Sequence, residues 1–299
     1  MAAIELLQVQ DIVGESLAWD QKRGALVWVD IGGRRIHRYV LATGRHDIWP
    51  TPEMPTSIGL RNDGGAIVGL TTRVALWDWG GEFRTLAIPE PDLPDNRLNE
   101  GRVAPDGSFW VGTMQNNLNA DGAPREMDRA SGAVYRIDTR GECVQLTDCE
   151  YGISNTMAWT DDGRFLFADT LKNTIYQFDL AADLRSLSNR RVFFGPFERG
   201  LPDGSCLDRQ GGLWNCRVVG GSAIARLTPS GQLDRLVDLP CSWPTSCTFG
   251  GEDLQTLFVT SARFTMTEEH LARHPQEGNL FAVTGISQGQ AEPLFLTHG

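Results

Sequence analysis

One short pattern recurs six times along the chain and limits its fold more than any other feature. The segments "RGALVWVD" (23–30), "DGGAIVGL" (63–70), "DGSFWVGT" (106–113), "DGRFLFAD" (162–169), "QGGLWNCR" (210–217) and "LQTLFVTS" (254–261) each carry a turn signal, an apolar stretch and a bulky residue at one register. Those residues are Trp28, Ile67, Trp110, Leu166, Trp214 and Phe258, spaced 39, 43, 56, 48 and 44 apart. A further β pattern follows each segment, as in "RIHRYVLATGRHDIW" (35–49) and "AVYRIDTRGECVQL" (133–146), and an apolar run precedes each, as in "TMAWTDDG" (156–163). Four short strands per unit in six units of this period is the arithmetic of an all-β, six-bladed β-propeller with four antiparallel strands per blade. A sandwich would hold far fewer strands, and strand–helix alternation is missing. Residues 1–299 are expected to form one propeller domain. "IELLQV" (4–9) is left as a spare strand to complete the last blade and close the ring, while "NLFAVTG" and "EPLFL" (279–296) read as the strands of that blade. The one helix start is Thr267, ahead of "EEHLAR" (268–273).

The repeat also serves as a ruler. Counting seven residues back from the residue before each turn glycine gives Asn99, Asn155, Asp203 and Thr56. The looser first and sixth turns give Glu15 and Thr245. All six are oxygen-bearing, and each stands at the start of an otherwise apolar strand expected to line the central channel. Strand periodicity directs them into one end of that channel. Two carboxylates and two amides converging without His or Cys suit a hard divalent cation.

The remaining composition excludes more than it suggests. Twenty-seven Lys and Arg against 38 Asp and Glu leave a net charge of −11, which disfavours nucleic-acid and anionic membrane partners. No apolar run reaches the length of a membrane span, and the first residues, "MAAIELLQVQD", lack the cationic start of a secretory signal, so a cytoplasmic protein is expected. Six scattered cysteines without a CxxC pair read as free thiols in that compartment. No His-centred nucleophile constellation or phosphate-cradling glycine loop is present.

The same ruler positions carry a family resemblance. "GESLAWD" (14–20), "NRLNEGRVAPDGSFWVGTM" (96–114), "ISNTMAWTDDGRFLFADT" (153–170), "LPDGSCLDRQGGLWNC" (201–216) and "TSCTFGGEDLQTLFVTSAR" (245–263) resemble the senescence-marker-protein/regucalcin/gluconolactonase family, in order and over nearly the whole chain. The resemblance implies a propeller sugar lactonase with one divalent cation (Ca²⁺, Zn²⁺, Mn²⁺, Mg²⁺ or Fe²⁺) held by Glu15, Asn155 and Asp203. It also implies substrate contacts at Arg97 and Asn99, the former two residues outside the ruler count. Three departures stand out. Ser16-Leu17 replaces the family's Gly-Pro after the glutamate, Glu100 replaces an Asp, and Asn117 stands where members often place a Glu that reads sugar hydroxyls.

These readings predict a hydrolase that opens the ring of a sugar aldonolactone, with Asp203 as general base and Arg97, Asn99 and Asn117 binding substrate. The expected partner is the small lactone itself, with the protein a monomer or weak homo-oligomer. A channel rich in polar groups favours polyhydroxylated lactones, and no apolar wall for an acyl lactone is identifiable in the sequence. Two rivals use the same channel: a non-enzymatic metal-binding propeller and a phosphotriesterase-like esterase. For Arg97 the competing role is a surface ion pair with Asp92 or Asp95. Residues 115–131, "QNNLNADGAPREMDRAS", account for the longest repeat interval and are expected to form a lid.

Overall fold

The computed structural model describes residues 3–119 and 122–297. Six separate four-stranded antiparallel sheets follow one another around a ring, so the chain folds as a six-bladed β-propeller. Blades 1 to 5 span 14–50, 57–87, 96–145, 154–194 and 201–238, each built as a consecutive meander. Blade 6 takes three strands from 244–284 and its outermost strand, Ile4–Leu7, from the other end of the chain. That strand runs antiparallel to Leu280–Thr284, with Ile4 opposite Ala282. The inner strands (Gly14–Asp20, Ser57–Leu60, Asn96–Val103, Ser154–Thr160, Leu201–Leu207 and Pro244–Gly250) each pack against the inner strands of both neighbouring blades and enclose the channel.

The bulky repeat residues lie on the second strand of each blade, and all six are buried, Trp28, Ile67, Trp110 and Trp214 completely. The indole N–H of each repeat tryptophan is satisfied: Trp28 donates to Asp11 Oδ2 (2.7 Å), Trp110 to Ser108 Oγ (3.1 Å) and Trp214 to Asp208 Oδ2 (2.9 Å). The apolar core is therefore divided among the blade interfaces. One cluster joins Val29 and Ile36 of blade 1 to Ile58 and Trp77 of blade 2, and the last joins Trp28 of blade 1 to Phe258 and Leu280 of blade 6. No blade buries its own faces without both neighbours.

The helix forms as expected over Glu268–Arg273, capped by the Thr267 side chain accepting from the His270 N–H, and buries no side chain. The six cysteines are free. Among the described residues no helix is long and apolar enough to cross a membrane.

The expectation for "EPLFL" is corrected. This segment is not a strand of blade 6, because the edge it would pair with is already taken by Ile4–Leu7. Instead the chain crosses the far end of the propeller as a strap. Gly289 pairs with Asp208 of blade 5, and Phe295 pairs with Arg61 of blade 2. A side chain at Gly289 would meet Phe249 Cβ at 2.1 Å, so only glycine lets the strap lie this close. Glu292 accepts from Thr248 Oγ1 (2.7 Å) and pairs with Arg102 at 3.5 Å. Phe295 is completely buried between blades 2 and 3. Phe295→Ala should cost about 3–5 kcal/mol by transfer and cavity formation, read as a lower urea midpoint. An unchanged midpoint would show that the strap adds nothing to the ring.

Candidate active site in the channel mouth

Five of the six ruler positions line one cavity of about 190 Å³ at the mouth of the channel: Glu15, Asn99, Asn155, Asp203 and Thr245. The device that aims them recurs in register. In five inner strands the pairing with the next strand slips at or just past the ruler residue: between Glu15 and Ala18, Leu98 and Gly101, Asn155 and Met157, Pro202 and Ser205, and Pro244 and Cys247. Such bulges bend a strand and redirect its side chains. The inner strand of blade 2 has no slip. Thr56 is the exception that results: it is buried, its Oγ1 donates to Gly69 O within its own blade (3.3 Å), and it does not line the cavity.

Two bulges place a non-glycine residue in the left-handed region, Ser16 (φ 53°) and Thr156 (φ 50°). Their side chains make the conformation worthwhile. Ser16 Oγ accepts from Ile58 N (2.9 Å), and its N–H donates to Glu15 Oε2 (3.1 Å), so Glu15 keeps its position without the glycine usual there. Thr156 Oγ1 donates to the carbonyl of Asp203 (2.5 Å), which also accepts from Asn215 Nδ2 (3.1 Å).

A directed arc of hydrogen bonds runs from blade 3 through blade 4 to blade 5. Arg97 donates to Asn117 Oδ1 (2.9 Å) and to Asn99 Oδ1 (2.7 Å). Asn99 Nδ2 donates to Asn155 Oδ1 (3.0 Å), Asn155 Nδ2 to Thr170 Oγ1 (2.8 Å), and Thr170 Oγ1 to the carbonyl of Pro202 (2.7 Å), beside Asp203. Every amide orientation follows from its neighbour. Arg97 is buried within this arc and forms no ion pair with Asp92 or Asp95; Asp95 instead binds Arg125 (2.5 Å) and Arg129 (2.7 Å) of the 115–131 loop. That loop is tied down further by Gln115, which accepts from Asp128 N (2.8 Å), and by buried Leu118, packed in the blade 1–blade 2 core. It brings Asn117 to the cavity.

Burial raises the proton affinity of both carboxylates well above the usual range. The charges of Asp203 and Glu100 add to the effect at Glu15, and Glu100 adds to it at Asp203. Burial also lowers Arg97 to about 10, partly offset by the same two carboxylates, so it remains a cation at neutral pH. Asp203 Oδ1 is buried without a hydrogen-bond partner. Two carboxylates and an amide oxygen crowded at one point, with an unpartnered oxygen among them, fit a divalent cation, which would relieve their repulsion. Among the described residues no three His, Cys, Asp or Glu side chains group in this way.

Sequence reasoning named Arg97 and Asn117 but missed the rest of the rim. Two residues before each cavity-lining ruler position stands another lining residue: Val13, Arg97, Ile153, Leu201 and Trp243. Just beyond the second strand of the same blades stand Ile31, Asn117, Leu171, Val219 and Phe264. Only blade 3 gives polar rim residues. The ruler itself, read two residues upstream, held the signal for half of this ring.

The architecture and site define a channel-centred propeller of one kind: the chain belongs to the SMP-30/gluconolactonase/LRE-like family, whose pattern matches residues 13–263. Among its relatives are regucalcin of Gallus gallus, 35% identical over 92% of this chain and 91% of its own, and the 6-deoxy-6-sulfogluconolactonase of Pseudomonas putida, 35% identical over 95% of both. The solved structure of regucalcin from Agrobacterium tumefaciens, described as a calcium-binding protein, superposes with a TM-score of 0.89 at 29% identity, covering 98% of this chain and 97% of that one.

Excising 118–126 would remove the Arg125–Asp95 pair and unseat Asn117 from Arg97. Small-molecule affinity should fall severalfold while divalent-ion affinity, measured by calorimetry, hardly changes. Equal losses of both would show that the loop supports the whole mouth rather than the ligand alone.

Proposed function

We propose that this protein is a hydrolase that opens the ring of a sugar aldonolactone to the aldonic acid, with a divalent cation held by Glu15, Asn155 and Asp203. The observation that carries this reading is the unpartnered Asp203 Oδ1 in a cavity sized for one small ring, in a chain related to a named sugar lactonase. About 190 Å³ is below the roughly 300–1,000 Å³ of sites for drug-sized ligands. When bound, a divalent cation, one of Ca²⁺, Zn²⁺, Mn²⁺, Mg²⁺ or Fe²⁺, supplies polarisation of the lactone carbonyl and acidifies a neighbouring water.

The chain's own residues do the rest. Asp203 takes a proton at Oδ1 from the attacking water as the water oxygen bonds to the carbonyl carbon. The bond from that carbon to the ring oxygen then breaks, and the proton passes to the departing oxygen, leaving a hydroxyl and a carboxylic acid. Burial favours this role, because it raises the basicity of a carboxylate toward the working pH. Arg97, charged and held by Asn117 and Asn99, opposes the negative charge that develops on the carbonyl oxygen. Asn99 and Asn117 orient the ring beside it. A sulfonated substrate like the one in the Pseudomonas relative's name would find only Arg97 as a cation among the lining residues. The acidic composition and free thiols support a cytoplasmic protein, working as a monomer or weak homo-oligomer without nucleic-acid or membrane partners.

Asp203→Asn keeps the size and one oxygen but removes the base. Turnover of aldonolactones should fall about 10²–10⁴-fold with an unchanged circular dichroism spectrum. Asn155→Ala should weaken cation binding instead, so that excess cation partly restores the rate. Near-normal turnover of cation-loaded Asp203→Asn would remove Asp203 as the base. Loss of lactone hydrolysis on chelation and its return with added cation separates the proposal from a non-enzymatic platform, and a phosphotriester assay separates it from the esterase.

A further inference from the structure

The rim of the cavity is apolar on every side but one. Leu171 and Val219, from blades 4 and 5, stand 57% and 49% exposed beside it, an unusual setting for large aliphatic side chains at a polar site. Next along the ring, at blade 6, Trp243 and Phe264 pack edge to face, centroids 6.4 Å apart. The polar edge is confined to Arg97 and Asn117 of blade 3, which are bonded to each other.

The polar groups deeper in the cavity are largely engaged with one another. Thr170 Oγ1 donates to Pro202 O, Thr245 Oγ1 to Gly14 O, and Asn99 Nδ2 to Ser154 O and Asn155 Oδ1. A hydroxyl placed against Leu171, Val219, Trp243 and Phe264 would lose its water and gain no partner from these side chains, which is costly. A methyl group there would bury apolar area against aliphatic and aromatic walls.

We infer that the cavity selects lactones with one polar and one apolar edge: deoxygenated, methyl-bearing sugar lactones in preference to fully hydroxylated or anionic ones. The hydroxyls that remain lie toward Arg97 and Asn117, and the deoxygenated edge lies toward Leu171, Val219, Trp243 and Phe264. This narrows the substrate class of the proposed lactonase and rests on that reading for turnover, but not for binding.

Lactams keep the ring and resist hydrolysis, so they separate the two. Calorimetry would compare 6-methylpiperidin-2-one with the fully hydroxylated gluconolactam, on the cation-loaded and the cation-free protein. Binding about tenfold tighter for the methyl lactam is expected. Val219 sits at φ 57°, a conformation asparagine adopts far more readily than a β-branched residue, so Val219→Asn should fold and turn the wall polar. It should erase most of that preference. Equal affinities, tighter gluconolactam binding or an unaltered preference in Val219→Asn would overturn the inference. In parallel, kcat/KM for 6-deoxyhexonolactones should exceed that for glucono-δ-lactone by a similar factor. A lactam preference without hydrolysis of any lactone would sink the lactonase reading and leave the apolar wall standing, whereas hydrolysis favouring the fully hydroxylated lactone would do the reverse.

Discussion

The pairing of Ile4–Leu7 with Leu280–Thr284 is the constraint on which the rest of the molecule depends. It joins the two ends of the chain in one sheet and turns six sheets into a closed ring. Closure gives each blade two neighbours, and only then does each apolar face find a partner, as the clusters at the blade interfaces show. It also brings Glu15, Asn155 and Asp203 together from blades 1, 4 and 5, residues separated by 140 and 48 positions along the chain. Local geometry cannot substitute for it, because no two of these residues share a hairpin.

Within the ring, fine positioning comes from repetition with a defect. An inner strand with perfect pairing alternates its side chains between two faces, and a slip at or beside the ruler residue in five blades turns that residue into the mouth. The arc of donors from Arg97 to the Pro202 carbonyl then sets the direction of each amide. Asn155 presents an oxygen to the cavity because its nitrogen is committed to Thr170. The two mechanisms are separable, since bulges fix where the side chains are and the arc fixes which atom each one offers.

Much of this was legible in the sequence because the information is periodic. The turn glycines mark the strands, and a fixed offset from them finds Glu15, Asn99, Asn155, Asp203 and Thr245. Thr56 obeys the offset and misses the cavity, because a bulge is a property of pairing that strand composition does not display. The apolar rim was hidden for a different reason. Leu171, Val219 and Phe264 each look like ordinary residues next to a hairpin turn, and their meaning lies in a juxtaposition across blades that only closure creates. "EPLFL" misled in the opposite sense: its composition suits a strand, but the competing N-terminal strand already holds the place beside Leu280–Thr284 in blade 6.

The strap between Gly289 and Phe295 crosses the end of the propeller opposite the cavity. Substrate and product of the proposed reaction use the mouth at the end the strap leaves uncrossed. In the proposed reaction a neutral lactone enters and feels little of the protein's long-range field. The acid that forms carries a negative charge inside a molecule of net charge −11, close to Glu15, Asp203 and Glu100. Once the acid has left the cation and Arg97, the net negative charge of the protein repels it, whereas it spares the incoming lactone.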